Sequence, residues 1–134
     1  MSKFTQASIK VSLSRVDTIF CHNYGIPYVA FKGYLSVRDD LLEILNRKFN
    51  DRHSKIRLVG HSLGGALATI MALDITYNLD WVGEMRECVS VRTFGSPCVG
   101  NAHFVCLFND CVEDSNRYFI TLDPGKRSYK KFTV

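Results

Sequence analysis

The chain has 134 residues, of which 46% are apolar and 22% charged, and a formal net charge of +4. That balance suits one globular domain with a modest core; the mild, scattered basic charge argues against nucleic-acid binding, and no apolar run reaches the length of a membrane span. Five cysteines (Cys21, Cys88, Cys98, Cys106 and Cys111), an odd number with no CxxC pair, exclude a disulfide framework and a zinc site as first expectations.

The N-terminus, Met1 to Gln6, is not followed by an apolar signal core. With reduced thiols, an intracellular protein is favoured. Ile9 to Leu13 alternates like a strand face, and Asp17 to Cys21 reads as a second short strand. Gly25-Ile26-Pro27 marks a turn, and Tyr28 to Phe31 reads as a strand or an extended entry. From Ser36 to about Asn50 the period becomes helical, with Val37, Leu41, Ile44, Leu45, Lys48 and Phe49 on one face. Asp39, Asp40 and Glu43 lie toward its start and Arg47 and Lys48 toward its end, as a helix dipole favours.

The next stretch organises the chain. Ile56 to Val59 is a β-branched, apolar run that leads into Gly60-His61-Ser62-Leu63-Gly64; small and apolar residues continue to Leu73, and the helix they start runs from Leu63 to about Leu79. This reads as strand, tight turn and helix, with Ser62 at the corner. In a Gly-x-Ser-x-Gly elbow the turn pushes the serine hydroxyl out of the packed layer. The expectation is that a Cβ at either Gly60 or Gly64 would meet neighbouring backbone. The Leu63 amide, at the helix N-terminus, is placed to donate to a developing oxyanion. The bare pattern arises by chance in roughly 4% of chains of this length, so the strand before and the helix after carry much of the weight.

Val89 to Phe94 is a second strand, ended by Gly95-Ser96-Pro97. Asn101 to about Cys111 reads as a helix capped by Asn101, with Phe104, Leu107, Phe108 and Cys111 on one face. Tyr118 to Leu122 is a third strand, ending at Asp123-Pro124-Gly125. Strands alternating with helices predict an α/β fold: a mostly parallel sheet covered on both faces. Lys126, Arg127, Lys130 and Lys131 form a basic cluster at the end. A solvated terminus is its ordinary reading, and transient contact with an anionic lipid surface is the alternative.

Three of these stretches together resemble the class 3 (fungal-type) lipase family of the α/β-hydrolase superfamily. Gly60 to Ala68 is similar to its nucleophile block, and Thr93 to Asn101, followed by Phe104 and Phe108, to the block after the next strand. Arg117 to Pro124 resembles the strand bearing the family's acid, and Tyr34 to Phe49 the helix before the nucleophile strand. The resemblance covers about residues 34 to 124 of a single domain, 1–134, and leaves 1–33 unassigned. It implies hydrolysis of carboxylic esters, of triacylglycerol or related lipids, by a Ser–His–Asp triad. Ser62 would be the nucleophile, Asp123 the acid that orients the histidine, and the Leu63 amide an oxyanion donor. No metal or cofactor is implied, and the expected partner is a lipid or small ester.

The triad order of this superfamily is Ser, Asp, His, yet the eleven residues after Asp123 contain no histidine. The four histidines are His22, His53, His61 and His103. His61 adjoins Ser62, and neighbours on an elbow point apart. His103 sits near a helix start, His53 lies in a polar loop, and His22 is the most open case. A second oxyanion donor is doubtful too. Phe31-Lys32-Gly33-Tyr34 resembles the family's oxyanion turn only loosely, and the better register starts the pre-nucleophile helix at Tyr34. The alternative is therefore a truncated or catalytically dead homologue that binds a lipid or a protein.

Overall fold

Four strands form one sheet in the computed structural model, which describes residues 24–49, 54–78, 86–120 and 129–132. For Tyr28, Ile120 and residues 129–132 it describes the backbone alone. The expected strands at 9–13 and 17–21 lie outside the described residues, as do His22, His53, Asp123, Lys126 and Arg127. In chain order the elements are α1 (Tyr28–Lys48), β1 (Ile56–His61), α2 (Leu63–Asn78), a short 3-10 turn (Arg86–Cys88), β2 (Val89–Phe94), α3 (Ala102–Cys111), β3 (Asp114–Ile120) and β4 (Tyr129–Phe132). The sheet order is β1-β2-β3-β4. The first three strands are parallel, and β4 runs antiparallel to β3.

Helix α2 is the hub. Up to Leu73 it is small or apolar all round because it has neighbours on several sides: it packs on β1 and β2, and both α1 and α3 pack on it. Its two deeply buried threonines return their hydroxyls to their own helix, Thr69 to Gly65 O (2.9 Å) and Thr76 to Ala72 O (2.7 Å). No buried donor is wasted there. Phe104 and Phe108 of α3 are wholly buried in the same core as Ile75 of α2, Val89 and Val91 of β2, and Ala30, Phe31 and Tyr34 of α1. Asn101 caps α3 as expected, accepting from the Phe104 amide at 3.1 Å. Its own N–H donates to Tyr24 O at 2.7 Å, which ties the entry of α1 to the start of α3.

Three expectations change. Tyr28 to Phe31 is helical, because Ala30, Phe31 and Tyr34 all enter the core at helical spacing. Burial of that stripe overrides the strand preference of a Tyr-Val-Ala-Phe run. The earlier start also moves Asp39 and Asp40 to mid-helix, so only Arg47 and Lys48 complement the dipole. Strand β3 begins at Asp114, four residues before the expected Tyr118, since Ser115 and Asn116 are buried against β2 despite their polarity. The backbone of Lys130 and Lys131, expected in a solvated terminus, lies in β4 and pairs with β3. The expected mostly parallel sheet flanked by helices is present, and the described helix α2 packs on the face where Val89, Val91 and Thr93 are buried. On the opposite face Val59 is 61% and Phe94 42% exposed.

One ion-pair network fastens α1 to α2. Arg38 donates to Asp74 through Nε (2.7 Å) and Nη2 (3.3 Å), the Tyr34 hydroxyl donates to the same carboxylate, and Asn78 Nδ2 adds a bond of 2.6 Å. Burial, then the charge on Asp74, holds the Tyr34 phenol far above its ordinary pKa, and the bond to Asp74 raises that of Arg38. Both therefore keep their protons at neutral pH. Asp74→Ala strands a guanidinium and a phenol together. Losing one partner of a buried pair costs about 3–5 kcal/mol; Arg38 keeps 32% of its side chain in water, so we expect about 2–3 kcal/mol, read as a lower urea midpoint at unchanged slope.

Candidate active site

Ser62 stands where β1 gives way to α2. Its φ is +52°, the one positive value among the described non-glycine residues. A left-handed conformation costs an L-residue about 1–2 kcal/mol, so the surrounding bonds must hold it. They do so from both sides. The Ser62 amide donates to Phe94 O of β2 at 3.0 Å, and the Ser62 carbonyl accepts from Gly65 N (2.9 Å) and Ala66 N (3.4 Å). The residue is solvent-exposed, and among the described residues nothing hydrogen-bonds its hydroxyl.

The glycines divide the work differently from expectation. A Cβ on Gly60 would lie 2.1 Å from Gly64 O and 2.6 Å from Gly65 N, so that position admits hydrogen alone. A Cβ on Gly64 would meet nothing within 4 Å. The second close approach is at Gly65, where a Cβ would stand 2.7 Å from Ser96 Cβ and 3.2 Å from Thr93 Cβ. Gly64 was expected to be constrained because the motif ends on it. The crowding falls one residue later because there α2 presses on the loop after β2, a contact that local spacing does not record.

The first turn of a helix leaves its leading amides without intrahelical partners. Gly65 and Ala66 spend theirs on Ser62 O, which leaves those of Leu63 and Gly64 without a partner among the described residues, beside the Ser62 corner. An anion arriving there meets N–H donors and the positive end of the helix dipole. Val59 and Leu63, 61% and 47% exposed, give that corner an apolar border.

Of the histidines, His61 and His103 are described; both are exposed, and neither hydrogen-bonds Ser62. His61 is the register partner of Phe94, and its Nε2 would lie 3.8 Å from a Cβ at Gly95. His103 is in the first turn of α3. Phe31 to Tyr34, the loose match to an oxyanion turn, lies within α1. A cavity of about 280 Å³ opens between α1, α2 and α3, lined among others by Phe31, Leu73, Tyr77 and Leu107. It is separate from the elbow: Leu73 is eleven residues along α2 from Ser62, about 16 Å at 1.5 Å per residue.

Thiol chemistry also sorts by position. Cys88 and Cys111 are buried, and burial pushes both thiols above their ordinary pKa; Cys98 and Cys106 are exposed. A raised pKa means less thiolate at a given pH, and the thiolate is the form that reacts. At pH 8, iodoacetamide is expected to modify Cys98 and Cys106 in the folded chain and to spare Cys88 and Cys111 until urea is added. Peptide mass mapping reads the result.

Parallel strands, a serine at a strained strand-to-helix corner and a flanking helical layer together make the layout of an α/β-hydrolase. The family model for "Lipase (class 3)" matches residues 2–124. Lipase A of Sodiomyces alcalophilus is 40% identical over 92 residues, which is 69% of this chain and 20% of that protein. Secreted mono- and diacylglycerol lipase 2 of Gibberella zeae is 52% identical over 81 residues, 58% of this chain and 17% of that protein. Lipase II from Rhizopus niveus superposes with a TM-score of 0.64 at 23% identity, covering 70% of this chain and 35% of that one, and so shares the fold. The chain belongs to the class 3 lipase family. The matched stretch spans about a fifth of the length of the curated relatives.

Proposed function

We propose that the chain hydrolyses carboxylic esters of lipids, with Ser62 as the attacking nucleophile. The observation that carries this is the strained, exposed Ser62 corner, where the hydroxyl and the two neighbouring amides have no partner among the described residues. Leu63 N–H is the donor to the tetrahedral oxyanion. Asp123 is the triad acid. Because β3 runs parallel to β1 and β2, the chain leaves Ile120 at the edge of the sheet that also carries Ser62, and Asp123 follows three residues later. Open α/β sheets bind ligands at that edge. Relatives named as lipases acting on mono- and diacylglycerols, and as phospholipases A1, support a glycerolipid ester as the substrate class. No described helix is long and apolar enough to cross a membrane.

A fluorophosphonate probe tests the proposal, because it reacts with an activated serine and leaves an ordinary hydroxyl untouched. Mass mapping is expected to find the adduct on Ser62, together with turnover of p-nitrophenyl esters. A chain that takes up no probe, yet binds lipid vesicles, is a binding module instead. That second reading is favoured by one fact: neither described histidine is hydrogen-bonded to Ser62. Without a general base the rate falls by several orders of magnitude.

A further inference from the structure

We infer that Arg117, on β3, is a positioning residue for the Ser62 elbow; the inference rests on the nucleophile reading above and extends it to the residue that holds the corner in place. Arg117 touches neither Ser62 nor its amides. It acts through the loop that follows β2.

That loop is gripped from both flanks. On the elbow side, the Phe94 carbonyl accepts from Ser62 N at 3.0 Å, and the buried Ser96 side chain closes on Gly65, leaving no room there for a Cβ. On the β3 side, Gly95 N donates to Tyr118 O at 2.8 Å, and Arg117 Nη2 donates to Ser96 O at 2.8 Å. The same nitrogen lies 3.6 Å from Cys98 Sγ. The guanidinium is itself held, stacked 5.4 Å from the centroid of the Phe119 ring. A charged donor on a carbonyl is worth about twice a neutral one, and here the carbonyl belongs to the residue wedged against Gly65. Arg117 thus fixes Ser96, Ser96 and Phe94 fix the turn, and the turn keeps Ser62 at its left-handed φ. Local spacing gives no hint of this, since Arg117 lies 55 residues from Ser62 in the chain.

Amide hydrogen exchange by NMR on the full chain tests the inference, with Arg117→Met to remove the charge and keep the stem. The Ser62 and Gly95 amides are expected to exchange at least tenfold faster, while the Val91 amide in the middle of β2 stays at the wild-type rate. Phosphonylation of Ser62 is expected to slow by a similar factor. Arg117→Lys, whose ammonium still reaches a carbonyl, is expected to restore most of both. Arg92→Met, which removes the Arg92–Asp114 pair (2.8 Å) from the same sheet, is the comparator and should raise no selective exchange at Ser62. Unchanged exchange at Ser62 and Gly95 in Arg117→Met overturns the inference. So does a uniform rise across β2, which is the mark of lost global stability; should Arg117→Met fail to fold, the same two readings on Arg117→Gln, which removes the charge and keeps a polar end, decide. A wild-type chain that resists the phosphonate counts against the nucleophile and leaves exchange to decide the role of Arg117.

Discussion

Gly60→Ala is expected to cost the chain a large share of its stability. The added carbon would sit 2.1 Å from Gly64 O, 2.4 Å from Gly64 C and 2.6 Å from Gly65 N. All three are main-chain atoms, so no side chain can turn aside. Relief requires α2 to lift from β1, and α2 is the element on which the sheet, α1 and α3 all pack. Overpacking usually costs about 1–3 kcal/mol, sometimes more. With only main chain to give way we expect about 3 kcal/mol or above, a large share of the roughly 5–15 kcal/mol that holds a domain together. Gly64→Ala is the control: four residues along the same motif, the new methyl meets nothing within 4 Å. It is expected to fall within about 0.5 kcal/mol of wild type, with any gain coming from helix propensity. Urea titration of the two variants reads the contrast, and equal losses would show that the elbow is not packed as described.

The second large effect is on chemistry. Ser62→Ala and Ser62→Gly are both expected to lose phosphonate labelling and ester turnover entirely, because no other described group takes the place of the hydroxyl. They should differ in stability. Alanine keeps a Cβ in the left-handed region and retains the strain, so it should melt with wild type. Glycine relieves about 1–2 kcal/mol of that strain, against a penalty of about 0.5–1 kcal/mol for the freedom it adds to the unfolded chain. A net gain of about 0.5–1 kcal/mol follows, or a few degrees in Tm. An inactive variant more stable than its parent is the signature of a residue held in place for function. Turnover that survives either substitution would falsify the nucleophile assignment.

The parts of the fold written in local patterns were readable from the residues alone. The β1–Ser62–α2 corner, β2 and Asn101-capped α3 carry their own periodicity, cap and turn signals, and the structure has them within a residue or two of the expected bounds. What escaped is tertiary. Tyr34, Arg38 and Asp74 meet across 36 to 40 residues of chain, and no window of sequence contains the meeting. The polar start of β3, Asp114 to Arg117, resembles a loop until its register with β2 is known. Gly65 outranks Gly64 only because Ser96 and Thr93 stand opposite it. In the candidate site, Ser62 and the Leu63 amide are where the motif leads one to look, whereas Asp123 lies beyond the described residues.

The shared carboxylate at Asp74 has a mechanical consequence. Two donors from α1 and one from α2 converge on it, and a slip of one helix along the other by a single turn, about 5.4 Å, would break the two from α1 at once. The pair must therefore travel as one rigid bar. Any motion of that bar relative to the sheet has to hinge at its ends, and one of those ends is the Ser62 bend itself.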